Sequence, residues 1–315
     1  MEKDSLIIID SNSLLNRAFY AMTGLVTSRG EPVGAMYGFT VMLIKLIEEY
    51  RPKYVAATFD VHAPTFRHKM TDAYKATRKP MPDALGTQIN LMKDILDSLG
   101  IKRFELAGYE ADDLIGTMAK RSNTFTYVVT SDRDSLQLVD DKTHVLLTKR
   151  GITDLDDVSP ADVPNVFGVP ANRVVDFKAL AGDSSDNIAG VPGIGDKSAA
   201  DLITAYGSLD GIYENIDDIK GARHDKLLSG KDSAYLSYKL ATIDRDVPID
   251  FDLEACRLRF PFPAAARTLI ERYEFKSLLR RTDLFENDTM AQIKHDKQIE
   301  TVVLSNHAEL KSLVE

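Results

Sequence analysis

The sequence is nearly devoid of cysteine. Cys256 is the only one among 315 residues, so the chain contains neither a disulfide framework nor a cysteine-rich metal site. A catalytic thiol would have to be Cys256 itself, and we interpret this residue as ordinary packing. The six histidines show no close ligand-like pairing. Zinc chemistry and a histidine general base are therefore not indicated.

Long apolar runs are missing as well. The N-terminal run, residues 6–9, is far shorter than the hydrophobic region of a signal peptide. No stretch approaches the roughly 20 apolar residues of a membrane span. We therefore expect no membrane partner and a cytoplasmic location.

Positive charge is in deficit, with 39 Lys and Arg against 48 Asp and Glu and a formal net charge of −9. Such a balance argues at first against a nucleic-acid partner, because phosphate binding favours basic surfaces. The distribution matters more than the total. Nine of the carboxylates belong to one predicted metal site, and the remaining charges balance.

The periodicity predicts two kinds of structure. Apolar runs at residues 6–9, 54–59 and 126–130 alternate with helical patterns at about 36–49, 84–98 and 111–121. This alternation is typical of an α/β fold with a mostly parallel central sheet and helices on both faces. Residues 101–105 and 144–149 are predicted further strands. Amphipathic helices at 173–181, 197–206 and 234–243 then replace the strand signal.

We therefore predict an α/β core over residues 1–160 and a helical region over residues 161–285. Residues 286–315 are predicted to form a linker and the start of a truncated next domain. The reason is that polar residues 286–298 precede a strand-like run at 301–304 and a helix-like run at 308–315. A frayed tail is the alternative.

Each of the three confident strands ends in an aspartate: Asp10, Asp60 and Asp132. Ligands of open α/β sheets bind beyond the carboxyl ends of the strands, so these acids converge on one crevice. A single terminal aspartate is usually a turn or N-cap residue. Three on neighbouring strands indicate a cation site instead, because carboxylates packed together repel one another.

Further acids extend this group. Some begin a helix, where acids are commonly only dipole partners, and a later pair shares one face if its segment is helical. Together the acids supply nine oxygen ligands without His or Cys, which predicts Mg²⁺ or Mn²⁺. More acids than one octahedral ion uses predict two or more ions and phosphodiester hydrolysis. The nine are Asp10, Asp60, Glu110, Asp112, Asp113, Asp132, Asp134, Asp183 and Asp186.

A basic insert follows the second strand. Residues 62–79 carry five Lys or Arg against one Asp. Cations for phosphate and an aromatic for base stacking are what a single-strand binding element requires, whereas a solvated polar loop is the alternative. We expect residues 62–82 to bind nucleic acid through Phe66, Arg67, Tyr74, Lys75, Arg78 and Lys79.

A glycine-rich turn opens a helix at residues 190–199. Glycines allow close backbone approach to a phosphate, and the free N–H groups of a new helix attract the anion. The spacing is that of a helix-hairpin-helix, which contacts the DNA backbone without base specificity. A tight interhelical turn is the alternative. The predicted binding residues are Gly190, Gly193, Gly195 and Lys197.

With these motifs the sequence resembles the 5′ nuclease (flap endonuclease) superfamily, and most closely the N-terminal 5′-nuclease domains of bacterial DNA polymerase I. The resemblance covers about residues 5–285. It rests on residues 9–10, 17–19, 37–39, 59–60, 66–67, 74–75, 78, 109–113, 131–134, 137–138, 182–187 and 190–195.

The resemblance implies a PIN-like fold and a two-metal 5′-3′ exonuclease and flap endonuclease. Implied substrates are 5′ flaps and nicked or gapped duplexes, including RNA–DNA hybrids, during primer removal in replication and in excision repair. It also implies a monomer with covalently linked polymerase domains. A K⁺ ion held by the turn carbonyls of the hairpin is a further implication.

The family pattern assigns roles to single residues. One ion is implied at Asp10, Asp60, Glu110 and Asp112, and a second at Asp132, Asp134, Asp183 and Asp186. Either Asp112 or Asp113 would lie near both ions. Residues 62–82 correspond to the arch of the family, in which Lys75 and Arg78 would contact the scissile phosphate and Tyr74 the threaded strand.

Two other functions remain open. A non-catalytic branched-DNA binding module would show lost ligands, and none is missing. An RNA-directed nuclease on a similar acidic core would normally lack the hairpin and the arch. Cleavage of a 5′-flap substrate separates the three.

Overall fold

The structure of the chain is a computed structural model that describes residues 4–149, 151 and 154–286. A six-stranded sheet has the strand order β3-β2-β1-β4-β5-β6. All neighbouring strands are parallel except β5 and β6, which are antiparallel. The strands are β1 (Ser5–Asp10), β2 (Tyr54–Thr58), β3 (Lys102–Phe104), β4 (Phe125–Thr130), β5 (Thr143–Thr148) and β6 (Leu155–Val158).

Helices connect the strands and then form most of the remaining chain. Those of the sheet region are α1 (Ser11–Ala21), α2 (Gly34–Tyr50), α3 (Phe66–Met70), α4 (Asp83–Ser98) and α5 (Ala111–Arg121). Those that follow are α6 (Val163–Phe167), α7 (Val174–Ala181), α8 (Asp196–Tyr206), α9 (Leu209–Glu214), α10 (Ala222–Ser229), α11 (Lys231–Ala241), α12 (Ala266–Arg272) and α13 (Lys276–Leu279). Short 3₁₀ helices lie at Arg133–Leu138, Ala171–Arg173, Ile216–Asp218 and Glu254–Cys256.

Strand β1 is buried along its whole length, as an apolar run in a covered parallel sheet requires. Leu6 and Ile8 pack with Ile115 and Met118 of α5 on one face. Alternate residues of a strand point to opposite faces, and Ile7 is fully buried as well. The sheet is therefore covered on both faces, which confirms the predicted α/β class.

The predicted strands and helices of the first half all form, and the elements that were missed include β6 and α1. Strand β6 lacks an apolar run, because its sequence Leu-Asp-Asp-Val forms a half-exposed antiparallel edge. Helix α1 begins directly after β1, and Asp10 accepts a hydrogen bond from Ser13 N as its N-cap. Asp10 thus ends β1 and also caps α1. Hydrophobic periodicity alone does not mark so abrupt a change from strand to helix.

The helical region has its own hydrophobic core, formed mainly by α7, α8, α9, α10 and α11. Leu180, Leu202, Ile212 and Leu227 are fully or nearly fully buried within it. The three helices predicted here form as α7, α8 and α11, and α11 lies slightly earlier than expected. Helix α7 matters most for function, because it leads into the acidic turn at residues 183–186.

The chain divides into two compact units, one ending at Leu258 and the other beginning at Arg259. The second unit contains α12 and α13, with Phe262, Ile270 and Phe275 buried. The predicted linker residues 287–298 and the runs at 301–304 and 308–315 lie outside the described residues. The predicted boundaries near 160 and 285 stay predictions. No described helix combines the length and apolar character that crossing a bilayer requires.

Candidate active site

An acidic cavity of about 830 Å³ lies at the carboxyl ends of β1, β2 and β4. Because these strands are parallel neighbours, residues that end them meet at one edge of the sheet. The N-terminus of α5 contributes further acids. The charged lining consists of Asp10, Asp60, Glu110, Asp112 and Asp132 with Arg17, Lys75, Arg78 and Lys79.

Backbone and hydroxyl groups hold the strand-end aspartates in place. Asp10 Oδ2 accepts a hydrogen bond from Thr130 Oγ1 at 2.7 Å, which joins the ends of β1 and β4. Asp60 Oδ1 accepts one from Ala111 N at 2.8 Å, which joins the end of β2 to the start of α5. These contacts orient the acids toward the cavity without neutralising their charge.

Cations compensate the carboxylates of this cavity unevenly: Lys75 pairs with Glu110, whereas Asp112 keeps an unpaired oxygen. Asp112 Oδ1 is buried and has no hydrogen-bond partner. Burial, together with the charges of Asp10 and Asp132, raises the pKa of Asp112 well above its ordinary value. Burial and the charge of Asp60 likewise raise the pKa of Asp10 to about 7. An unpaired buried oxygen among repelling carboxylates fits a divalent cation, which prefers oxygen ligands of this kind.

The raised pKa of Asp10 predicts the direction in which stability changes with pH. An unfolded aspartate titrates near 3.9, so between about pH 4 and 7 the folded chain holds a proton that the unfolded chain has lost. In chelator, the free energy of unfolding should therefore fall as pH rises, by roughly 1.4 kcal/mol per pH unit for one such group. Urea unfolding at pH 5 and pH 7.5 measures this fall. Asp10→Asn should reduce it, and an equal fall in that variant contradicts the assignment.

Two cations of the basic insert reach the acids of the cavity. Lys75 Nζ donates to Glu110 Oε2 at 2.8 Å and lies 3.6 Å from Asp186 Oδ2. Arg78 Nη2 donates to Asp186 Oδ1 at 2.5 Å. Lys75 has a φ of 56°, an uncommon conformation for this residue type. Its N–H donates to Asp186 O at 2.9 Å, which helps to hold that conformation.

Arg67 and Asp113 are buried and pair with each other, so their predicted nucleic-acid and metal roles stay predictions. Arg67 is 2% exposed and donates two hydrogen bonds to Asp113, at 2.8 and 2.7 Å. It also donates to the carbonyls of Leu240 and Thr242. Asp113 further accepts from the backbone N–H groups of Glu110 and Asp244. Both oxygens of Asp113 are thus engaged, and the pair connects the insert, α5 and the end of α11.

Tyr74 is buried as well, so its predicted stacking role stays a prediction. Tyr74 is 3% exposed, and its hydroxyl lies within hydrogen-bond distance of Glu110 Oε2 at 3.0 Å and of Asp186 Oδ2 at 3.1 Å. The ring is therefore buried beside these two acids, with almost none of its surface exposed. Phe66 is partly exposed and packs against Arg67 and Tyr109. Lys79 is exposed at the cavity, where a phosphate can reach it.

A second acidic cavity of about 680 Å³ adjoins the first and shares Asp132 with it. Asp134 and Asp183 line it together with Lys178 of α7. The segment that carries Asp183 and Asp186 is a bridged turn and not a helix. The two acids consequently separate: Asp183 faces Lys178, whereas Asp186 faces Tyr74 and Arg78. The shared helical face that the spacing would allow does not form, and a common ion for the two acids stays a prediction.

The glycine-rich turn forms as expected, but its glycines differ in role. Gly190 is buried with φ 64°, and a Cβ there would lie 2.3 Å from Gly182 N. Its N–H donates to Ser237 Oγ at 3.0 Å, so Gly190 is placed for packing, and its phosphate contact stays a prediction. Gly193, Gly195 and Lys197 are exposed. Gly195 is the N-cap residue of α8 with open space around it, which suits an approaching backbone phosphate.

No three His, Cys, Asp or Glu side chains among the described residues are arranged as ready metal ligands. Lysine and arginine side chains lie between the acids instead, as the contacts of Lys75 and Arg78 illustrate. The sequence reasoning missed two further cations, Lys178 and Arg17. Lys178 looked like the polar face of an amphipathic helix, and Arg17 donates to the carbonyls of Lys149 and Gly151. Arg17 belongs to the residues 17–19 that carry the family resemblance, whereas no local signal separated Lys178 from a surface residue.

Comparison with protein families gives two matches along the chain. The family described as 5′-3′ exonuclease, N-terminal resolvase-like domain, matches residues 5–168. The family described as 5′-3′ exonuclease, C-terminal SAM fold, matches residues 169–264. The first match contains the three strand-end acids and the basic insert. The second contains the glycine-rich turn.

Among curated proteins, DNA polymerase I of Caldicellulosiruptor bescii is 43% identical over 286 residues, covering 89% of this chain and 34% of that protein. DNA polymerase I of Bacillus subtilis is 35% identical over 305 residues, covering 96% of this chain and again 34% of the relative. The chain thus spans about a third of the length of these relatives.

A solved structure shares the fold. The bacteriophage T5 D15 flap endonuclease, in a complex with DNA and metal ions, superposes with a TM-score of 0.63 at 20% identity, covering 88% of this chain and 97% of that one. From the family matches over most of the chain and the identity to these relatives, the chain belongs to the 5′-3′ exonuclease family.

Proposed function

We propose that this chain is a divalent-metal-dependent, structure-specific 5′ nuclease that hydrolyses phosphodiester bonds of 5′ flaps and of nicked or gapped duplexes. The observation that carries the proposal is the convergence of five acids and four cations on one cavity at the carboxyl ends of three parallel strands. Acids suit hard cations, and the surrounding lysines and arginines suit a phosphate. Removal of RNA primers and displaced flaps in replication and repair follows from that activity.

The residues of the first cavity fit a divalent ion. Asp10, Asp60, Glu110 and Asp112 would hold it, with the unpaired Oδ1 of Asp112 as the strongest indication. When bound, such ions act as Lewis acids toward the phosphodiester, activate water and stabilise the departing oxygen. Asp132, Asp134 and Asp183 would hold a second ion in the adjoining cavity. The choice of Mg²⁺ or Mn²⁺ follows from the all-oxygen donor set.

The cations of the insert would orient the scissile phosphate. Lys75 and Arg78 line the cavity while paired with Glu110 and Asp186. An entering phosphate competes for these cations, and charge-assisted hydrogen bonds to it stabilise charge that grows in the transition state. The Tyr74 hydroxyl, within hydrogen-bond distance of both Glu110 and Asp186, would hold these two carboxylates in position. These contacts position the reacting group with the chain's own side chains.

The helical region would hold the duplex next to the site. The free N-terminus of α8, with Gly193, Gly195 and Lys197 exposed around it, offers N–H groups and positive charge to backbone phosphates. A relative of the same fold has been solved with DNA and metal ions, which supports this partner. A K⁺ ion at the turn, a monomeric state, attached polymerase domains and a cytoplasmic location belong to the same proposal, in keeping with the DNA polymerase I relatives.

A 5′-flap substrate labelled at both ends tests the function. Incubation with Mg²⁺ should release 5′ fragments that carry 5′-phosphates, and chelator should stop the reaction. Binding without cleavage would indicate a non-catalytic branched-DNA module. Preference for an RNA substrate without a flap would indicate an RNA-directed nuclease. Either result contradicts the proposal.

Lys75→Ala should slow the chemical step more than it weakens binding. Loss of one charge-stabilising donor commonly costs about 10²–10³-fold in turnover, whereas one phosphate contact among several contributes little to affinity. Single-turnover cleavage and flap binding in Ca²⁺ measure the two effects. Lys69→Ala, an exposed cation of the same insert, is the matched control and should change neither strongly. Equal losses of rate and affinity in Lys75→Ala would make Lys75 only an electrostatic tether.

A further inference from the structure

Lys178 is the buried cation of the second acidic cavity. It lies on α7 and is 4% exposed, although lysine is almost never fully buried unless paired. The cavity that it lines contains Asp132, Asp134 and Asp183. The neighbours of Lys178 along α7 face the helical core. The burial of its charged group therefore needs an explanation that does not apply to a solvent-exposed lysine.

The ammonium group bridges two of the acids. Lys178 Nζ donates to Asp134 Oδ1 and, at 2.5 Å, to Asp183 Oδ2. The other oxygen of Asp183 accepts from Ser185 N at 2.8 Å and from Ser185 Oγ at 2.6 Å. Both oxygens of Asp183 therefore accept hydrogen bonds. Asp134 pairs with the same buried ammonium group of Lys178.

The two cavities consequently differ in charge compensation. In the first, Asp112 Oδ1 has no partner, and the lysine and arginine of the insert contact Glu110 and Asp186. In the second, one lysine partly neutralises Asp134 and Asp183 from within the helix. A divalent ion entering the second cavity meets an ammonium on the oxygens it needs. Like charges at such distances repel strongly in a partly desolvated site.

We propose that Lys178 is a built-in competitor of the second divalent ion, so that this chain binds one ion strongly in the first cavity and a second only weakly, after the ammonium leaves Asp134 and Asp183. The inference rests on the proposed metal-dependent function and concerns how the two ions differ in affinity. The physical cause of the weaker affinity is that the ammonium group of Lys178 and the divalent ion compete for the same two carboxylates. A purely structural lysine that only tethers the acidic turn would not affect metal affinity.

Titration of the chain with Mn²⁺ alone, with free Mn²⁺ measured by electron paramagnetic resonance, tests the proposal. The unmodified chain should show two classes of site whose affinities differ at least tenfold. Lys178→Met removes the charge at similar length, and it should tighten the weaker class at least tenfold while leaving the stronger class unchanged. Lys178→Arg keeps the charge and should leave the weaker class weak.

The remaining outcomes are decisive as well. Two sites of equal affinity in the unmodified chain, or unchanged Mn²⁺ binding in Lys178→Met, overturn the proposal, and so does an equal gain in Lys178→Arg. Adding Asp134→Asn to Lys178→Met should abolish the gain, because it removes a ligand of the second cavity. Urea midpoints verify that each variant is folded, and the unmodified chain decides the question if Lys178→Met is not. Flap cleavage in the same samples is separate: its absence with the two-class binding intact contradicts the proposed function alone.

Discussion

Asp112→Asn is expected to lower the rate of flap cleavage by about 10³-fold or more, the scale of losing an electrostatic stabiliser of the transition state. Asp112 has a buried oxygen without a partner at the centre of the acidic cavity. An amide of the same shape keeps the packing but lacks the negative charge that a divalent ion requires. Flap binding should remain largely intact, because phosphate contacts come from cations elsewhere.

A stability measurement distinguishes a lost ligand from a damaged fold. Because burial and neighbouring acids raise the pKa of Asp112, its charged form destabilises the folded chain in chelator at neutral pH. Asp112→Asn should therefore unfold at higher urea concentration than the unmodified chain at pH 7.5, although it does not cleave. Asp141→Asn, on an exposed loop, should leave both cleavage and stability unchanged. Full activity in Asp112→Asn would refute the assignment.

Arg67→Met is expected to reduce the free energy of unfolding by about 3–5 kcal/mol, the usual cost of leaving one member of a buried ion pair unpaired. Arg67 is the only side-chain cation in hydrogen-bond contact with Asp113 among the described residues, and it also donates to two carbonyls at the end of α11. Its loss leaves a fully buried carboxylate and two backbone acceptors without their donors. Urea unfolding at pH 7 measures the change.

A double-mutant cycle shows whether the pair is the cause. Arg67→Met combined with Asp113→Asn should cost less than the sum of the single variants, because no unpaired charge then remains in the interior. Arg29→Met, which removes an exposed pair with Glu31, should change stability by no more than about 0.5 kcal/mol. A small effect of Arg67→Met together with a large loss of flap binding would instead restore Arg67 as a nucleic-acid contact.

The strand-end acids illustrate what local pattern predicts well. An apolar run with an acid at its end indicates both a buried strand and the position of its carboxyl end. The sequence therefore predicts that Asp10, Asp60 and Asp132 lie close together. The helix that begins after Glu110 follows from similar local signals. These are properties of short segments, since periodicity and capping depend on residues a few positions apart.

In the basic insert, local pattern does not predict which side chains are buried and which are exposed. Its five cations are alike in sequence, yet Arg67 is buried against Asp113, 46 positions away, while Lys79 is exposed at the cavity. Tyr74 and Phe66 were equivalent stacking candidates, but Tyr74 is buried beneath two acids. Nothing within the insert distinguishes these residues, because the carboxylates that select them come from distant segments.

The sequence by itself determined the fold class, the acidic edge of the sheet, the basic insert and the hairpin, since each depends on short-range pattern and residue chemistry. Only the tertiary structure decided which charges pair with one another. Asp113 pairs with Arg67, Asp186 turns toward Arg78, and Lys178 bridges Asp134 and Asp183. The physical reason is that a buried charge takes whichever opposite charge the packing brings within hydrogen-bond distance, and that distance exists only once the chain has folded.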